Sequence, residues 1–273
     1  MPLPALPLLI EPQALAAALE SAQLSNNLRL VDLSSPEQYL KAHLPGAVHL
    51  PPARTSSPAP RPGLLPEMPH LVQLFGELGH RPDLHYVVYD DEGGGWAGRF
   101  IWMLDSIGHT RYSYLNGGLK AWQQDGLQTE SEPHLAPPTE PQLTLHPEVS
   151  ISAAELMSSL DQPDLVVWDA RSPAEYRGEK VFAARGGHVP GAINFEWTAG
   201  MDTERGLRLR TDLKEELQRL GIAPDKDIIT HCQTHHRSGF TYLAAKILGY
   251  PRVRAYAGSW SEWGNRSDTP VEL

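Results

Sequence analysis

Trp168-Asp169-Ala170-Arg171-Ser172-Pro173-Ala174-Glu175-Tyr176 repeats the pattern of Val31-Asp32-Leu33-Ser34-Ser35-Pro36-Glu37-Gln38-Tyr39, 137 positions earlier. Working outward, His43-Leu44-Pro45-Gly46-Ala47-Val48 returns as His188-Val189-Pro190-Gly191-Ala192-Ile193, now at a spacing of 145, so that eight residues are inserted between these blocks. Val87-Val88-Tyr89 matches Ile228-Ile229-Thr230 at a spacing of 141. Gly108, Arg111, Gly117 and Trp122 match Gly249, Arg252, Gly258 and Trp263 at the same spacing. Ordered matches of this kind make the chain a duplication, with a unit too long for a solenoid repeat of 20 to 50 residues. A length of 273 residues accommodates two domains of ordinary size.

Within each copy, short β-type runs (Leu28 to Leu33, His85 to Tyr89; Leu165 to Asp169, Asp227 to His231) alternate with stretches of helical apolar spacing. The helical stretches are Ala14 to Ala22, Met68 to Leu78, Phe100 to Ile107, Ala153 to Leu160, Leu213 to Leu220 and Gly239 to Leu248. The alternation predicts an α/β fold, with a mainly parallel sheet flanked by helices in each copy. Ser131 to Glu148 carries Pro133, Pro137, Pro138, Pro141 and Pro147, which favours an extended linker. The expected division is therefore 1–130, a linker 131–148, and 149–273. Pro51 to Pro66 is also proline-rich but falls inside the first copy, and reads as a long surface loop.

Lys and Arg number 23 against 33 Asp and Glu, a net charge of −10, which argues against a nucleic-acid partner. No apolar run approaches the length of a spanning helix. Met1 to Ile10 has no basic n-region and no small-residue cleavage site, so export is not expected. The single cysteine, Cys232, excludes an internal disulfide and a multi-cysteine metal site and fits a reducing, cytoplasmic setting.

That cysteine follows the buried-strand pattern Asp227 to His231 and precedes the helix pattern Ser238 to Leu248, which ends at Gly249. A thiol at the end of a strand and before a helix meets unpaired backbone N–H groups and the positive end of the helix dipole. Both favour the thiolate, the nucleophilic form. Ile228 to Ser261 contains no acid and has Arg237, Lys246, Arg252 and Arg254. The matching window Val87 to Lys120 has Asp90, Asp91, Glu92 and Asp105 against Arg99, Arg111 and Lys120. At a spacing of 141, Cys232 faces Asp91 and Arg237 faces Trp96, so that one copy reads as catalytic and the other as structural.

These motifs resemble those of the tandem-domain rhodaneses, thiosulfate sulfurtransferases of the bacterial type. The resemblance rests on Asp169 to Tyr176, Gly187 to Ala192, the Cys-x4-Arg-Ser loop Cys232 to Ser238, and Tyr256-Ala257-Gly258-Ser259-Trp260, and it spans both halves. It implies two rhodanese-like domains, the first without the catalytic cysteine. It also implies that Cys232 takes a sulfane sulfur from thiosulfate or another small anionic donor and passes it, as a persulfide, to cyanide or a thiol. The persulfide replaces any metal or organic cofactor. Thioredoxin or a cysteine desulfurase would be a partner of that chemistry, and a monomer is expected.

On this reading the N–H groups of Gln233, Thr234, His235, His236 and Ser238 stabilise negative charge on sulfur. The loop Gln-Thr-His-His-Arg matches neither the thiosulfate nor the mercaptopyruvate pattern of the vertebrate-type enzymes, and Glu175 stands where their substrate arginine stands. Arg237 is then the expected anion partner, with His235 and His236 as polar lining. Trp197 resembles the aromatic wall beside the family's nucleophile and reads equally as core. His231, Trp260 and Trp263 read as packing, Asp169 as a loop-holding acceptor, and Arg171 and Arg177 as surface or interdomain ion pairs. The alternatives are a persulfide carrier in a sulfur relay, a mercaptopyruvate sulfurtransferase, and a cysteine-dependent phosphatase or arsenate reductase, whose loops have five residues between Cys and Arg instead of four. A zinc site from Cys232, His235 and His236 lacks suitable ligand spacing.

Overall fold

The computed structural model describes residues 6–21 and 27–273. In the first half, β1 (Leu9–Ile10), β2 (Leu28–Asp32), β3 (Val48–His49), β4 (His85–Tyr89) and β5 (Tyr112–Leu115) form one parallel sheet in the order β1-β5-β4-β2-β3. The second half has β6 (Leu165–Asp169), β7 (Ile193–Asn194), the antiparallel pair β8 (Met201–Asp202) and β9 (Arg208–Leu209), then β10 (Asp227–His231) and β11 (Val253–Ala255). Its parallel sheet runs β11-β10-β6-β7, and a parallel bridge from Ser150 to Ala255 stands where β1 stands in the first.

Alternating side chains on each central strand enter different cores, as a sheet covered on both faces requires. Tyr86 and Val88 pack with the helices Met68–Glu77 and Gly95–Ser106, whereas Val87 and Tyr89 pack with Leu15, Leu119 and Trp122. Ile228 and Ile229 divide in the same way. The helix expected over Ala14 to Ala22 forms over Pro12–Leu19, and Ala22 lies outside the described residues. Among the described residues no helix is long and apolar enough to cross a membrane.

The first-domain core continues into the second domain through Tyr242, Leu243, Ala255 and Ala257. Helices Gly95–Ser106 and Arg237–Ile247 cross at Gly98 and Gly239, which are equivalent positions of the repeat. A Cβ on Gly98 would lie 2.1 Å from the Gly239 oxygen, so only glycine permits this approach. Asp105 and Lys246, also repeat-equivalent, pair across the same interface.

The segment 131–148 is extended, but it is not a free tether. Thr139 N–H donates to Gly76 O, His146 N–H donates to Ser106 O, and Ala136 is buried against the first domain. The expected surface loop Pro51 to Pro66 is corrected: Thr55 is buried, and a Cβ on Gly63 would lie 2.0 Å from Ala257 O, across the domain interface. The reason lies in its backbone. Carbonyls in this proline-rich stretch have no ladder partners, and the guanidinium of Arg99 collects those of Thr55, Pro62, Gly63 and Leu64.

Candidate active site

β10 ends at His231, and Cys232 opens the loop that leads into the helix Arg237–Ile247. Cys232 N–H donates to Ser259 Oγ at 3.3 Å, while Trp260 N–H donates to Cys232 O and Ser261 N–H to Gln233 O. The N–H groups of Gln233, Thr234, His235, His236, Arg237 and Ser238 donate to no acceptor among the described residues. Six consecutive free donors at a helix N-terminus make a site for an anion.

The thiol of Cys232 is free and 1% exposed. Ser238 Oγ donates to Cys232 Sγ at 3.4 Å, so its oxygen accepts at 2.9 Å from His235 Nδ1–H. Burial pushes the His235 imidazole well below its usual range, with Arg99 and His236 adding to the effect. The ring is therefore neutral, with its edge against Trp102 at 4.5 Å. His235 has φ +61°, a left-handed conformation unusual for a residue with a Cβ, and the first-domain loop uses two glycines of positive φ, Gly93 and Gly94.

His236 turns the other way. Its ring stacks on Trp96 at 4.0 Å, faces Trp197 at 5.5 Å, and its Nε2 contacts Glu92 Oε1. Trp96 and Glu92 belong to the first domain, so His236 spans the domain interface. It therefore diverges from His235. Trp197 is half-buried between His236 and Phe240. Gln233 Nε2 donates to Phe182 O, and Thr234 O accepts from Arg99.

Arg237, expected to be a free anion partner, is engaged bidentately by Glu175 at 2.7 and 2.8 Å. Burial opposes the charge on Glu175, but Arg237 and the Ser172 cap overcome it and hold the carboxyl down at about 2. Burial also opposes the charge on Arg237, and Glu175 with Cys232 more than offsets it. The expectation of a surface or interdomain pair for Arg171 is corrected. Arg171 is buried within the second domain, bonds both oxygens of Asp169, donates to Gly187 O and stacks on Trp260 at 4.4 Å. Arg177 forms an exposed pair with Glu179. His231, Trp260 and Trp263 are buried.

Strand register corrects the alignment of the two copies. Tyr89 pairs with Asp32 as His231 pairs with Asp169, so the residue at the place of Cys232 is Asp90, not Asp91. The first-domain loop is one residue longer, and a gap-free spacing of 141 hides that. The Asp90 carboxylate accepts the N–H groups of Glu92, Gly93, Gly94 and Ala97 at 3.2, 3.0, 2.8 and 3.0 Å. Burial first, then Glu92, raises it to about 6 despite those bonds. In the silent copy, an acidic side chain of the protein fills its own amide cradle.

Sequence reasoning also missed Arg99. It is wholly buried, has no carboxylate partner among the described residues, and donates to Thr234 O and His235 O at 3.3 and 3.4 Å as well as to the Pro51–Pro66 loop. Burial lowers it to about 10, and the Cys232 side chain acts in the opposite direction. In a trans peptide C=O and N–H point oppositely. Turning the Thr234 and His235 carbonyls toward Arg99 therefore turns the His235 and His236 N–H groups to the other side of the loop. The position of Arg99, next to Gly98 at the helix crossing, was the available signal.

A family model described as a rhodanese-like domain matches residues 11–125 and again 152–266. The thiosulfate sulfurtransferase of Pseudomonas aeruginosa is 62% identical over 270 residues, covering 98% of both chains. That of Azotobacter vinelandii is 59% identical over 269 residues, also 98% of both. The 3-mercaptopyruvate sulfurtransferase of Escherichia coli is 33% identical over 245 residues, covering 88% of this chain and 87% of that one. Among solved structures, the anaerobic ergothioneine biosynthesis enzyme from Chlorobium limicola superposes with a TM-score of 0.85 at 21% identity, over 97% of this chain and 70% of that one, a likeness of fold.

Proposed function

The chain belongs to the rhodanese family in its tandem-domain form, and from that premise we propose that it is a thiosulfate sulfurtransferase working through a persulfide on Cys232. The thiolate attacks the outer sulfur of thiosulfate. A new S–S bond forms, the S–S bond of thiosulfate breaks, and sulfite leaves with the electron pair. Cyanide or a thiol then attacks the terminal sulfur, and the Cys232 thiolate is regenerated. Both steps are two-electron displacements at sulfur with no net oxidation or reduction beyond the sulfur transferred, so no metal or organic cofactor is called for.

One observation supports this reading above the others. At the equivalent place in the first domain a carboxylate is held by loop N–H groups, while the corresponding donors around Cys232 have no acceptor among the described residues. The fold thus provides an anion cradle twice, and in the second domain the anion is the sulfur and its persulfide. Ser238 Oγ–H adds a side-chain donor to the same atom.

Arg237 acts through its pair with Glu175, which fixes the start of the helix and leaves a net-neutral pair beside the sulfur. Gln233, Thr234, His235 and His236 contribute backbone N–H groups, and Trp197 with His236 borders the approach. A phosphatase is disfavoured by the four-residue spacing and by the engagement of Arg237. Mercaptopyruvate is the second donor to compare, because of the Escherichia coli relative. The reducing cytoplasm suits a free, reactive thiol.

Incubation with thiosulfate is expected to add about 32 Da, the mass of one sulfur atom, at Cys232 with release of one sulfite. Cys232→Ala should show neither. Sulfite release by that variant at the parent rate would refute the assignment.

A further inference from the structure

Outside the sulfur site, two potential metal ligands of the first domain, His43 and Glu130, converge with His134 of the linker. His43 is fully buried, and its Nδ1 lies 2.6 Å from Tyr39 O. A carbonyl oxygen can only accept, so Nδ1 carries a proton, and in the neutral imidazole Nε2 is then the lone-pair atom. That Nε2 has no hydrogen-bond partner among the described residues. It faces Glu130 Oε1 at 3.8 Å, and Glu130 Oε1 lies 2.7 Å from His134 Nε2. The three donor atoms all lie within 4.8 Å of one another.

We propose that His43, Glu130 and His134 form a site for a borderline divalent transition-metal ion of the Zn2+ class. With metal–ligand bonds of about 2.0–2.2 Å, a tetrahedral ion needs donors roughly 3.3–3.6 Å apart. The observed separations bracket that value, and Glu130 and His134, 32% and 40% exposed, have room to adjust. Two imidazoles and a carboxylate favour Zn2+, Co2+ or Ni2+ over Mg2+ or Ca2+.

The surroundings resemble a metal site's supporting shell. The Tyr39 carbonyl fixes the His43 tautomer, and the Tyr39 ring stacks on His43 at 3.9 Å. Tyr39 Oη accepts the His134 N–H at 3.0 Å, and Gly46 N–H donates to Glu130 Oε1.

The duplication supplies a control. His188 and Glu272 repeat the pair at 3.7 Å, with His188 Nδ1 on Tyr176 O and Gly191 N–H on Glu272. The His–Glu pair therefore belongs to the fold. His134 is the added third ligand, and the expected stoichiometry is one ion per chain. The ion would clip residues 130–134 to the His43 loop and stabilise the folded state by binding it alone.

The test is equilibrium dialysis of chelator-stripped, full-length protein against Zn2+ and Co2+. The expected result is one equivalent retained at low-micromolar free metal, a higher Tm with metal, and Co2+ ligand-field bands without a thiolate charge-transfer band. His134→Ala should lose the equivalent and the Tm rise while keeping its thiosulfate activity. Cys232→Ser should retain both. Should His134→Ala unfold, His134→Gln serves in its place. Failure of the parent protein to bind, full retention in the His134 variant, or loss in Cys232→Ser would each overturn the proposal.

Discussion

At Arg99 a single guanidinium from the silent domain holds two carbonyls of the loop that carries the nucleophile. Among the described residues no carboxylate pairs with it, so it both fixes two peptide planes and adds positive potential near Cys232. Arg99→Met should lower kcat/KM for thiosulfate and the rate of Cys232 alkylation by iodoacetamide about tenfold or more. Arg99→Lys should restore part of both, which a purely packing role would not predict. Glu175 makes a second residue-scale prediction. Its carboxyl is held at about 2, below the ordinary value near 4.3. Its contribution to stability is therefore present above that ordinary value and is lost as pH falls through about 4 toward 2. Glu175→Gln should cost about 2–3 kcal/mol near neutral pH and flatten the acid-unfolding profile in that window. Urea unfolding at several pH values measures both effects. Equal stability of the two proteins at neutral pH would contradict the pairing. Cys232 and its loop were legible because strand, turn and helix signals are local. The Glu175–Arg237 pair was not, since its partners are 62 residues apart and nothing local in either one specifies the other.

The long central strands β2, β4, β6 and β10 follow their apolar runs closely, because burial on both faces leaves a strong, local signature. The short edge strands β1, β3, β7 and β11 carry two or three residues each and are set by register against those central strands. Only tertiary pairing defines them. The same register exposes the one-residue difference between the two loops and moves the silent counterpart of Cys232 from Asp91 to Asp90. The helix crossing is the element-scale constraint. At Gly98 and Gly239 a methyl group would meet backbone atoms at 2.1 and 2.5 Å, which no side-chain adjustment relieves. Gly98→Ala should destabilise the protein by about 2–3 kcal/mol, measured by thermal or urea unfolding. A change within a few tenths would show that the helices can part there at little cost.

Across the whole molecule, duplication produced two anion cradles and then separated their fates. One is filled internally by Asp90, and the other, beside Cys232, keeps its donors without an acceptor among the described residues. Equivalent residues meet at the interface with opposite character: Asp105 takes Lys246, Tyr112 and Tyr242, and Trp96 covers His236 beside Arg237. The silent copy is thus part of the site's wall, not a spectator. Asp105→Leu leaves Lys246 without its carboxylate at a shared core, and should lower Tm and reduce the resistance of the domain interface to proteolysis, by an amount corresponding to about 3 kcal/mol. The most direct test of the central claim is the intact mass of the protein after incubation with thiosulfate and removal of excess donor. The expected result is one added sulfur, located at Cys232 by peptide mapping and discharged by cyanide as thiocyanate. An unmodified mass under conditions where sulfite is released, or a sulfur located elsewhere, would contradict it.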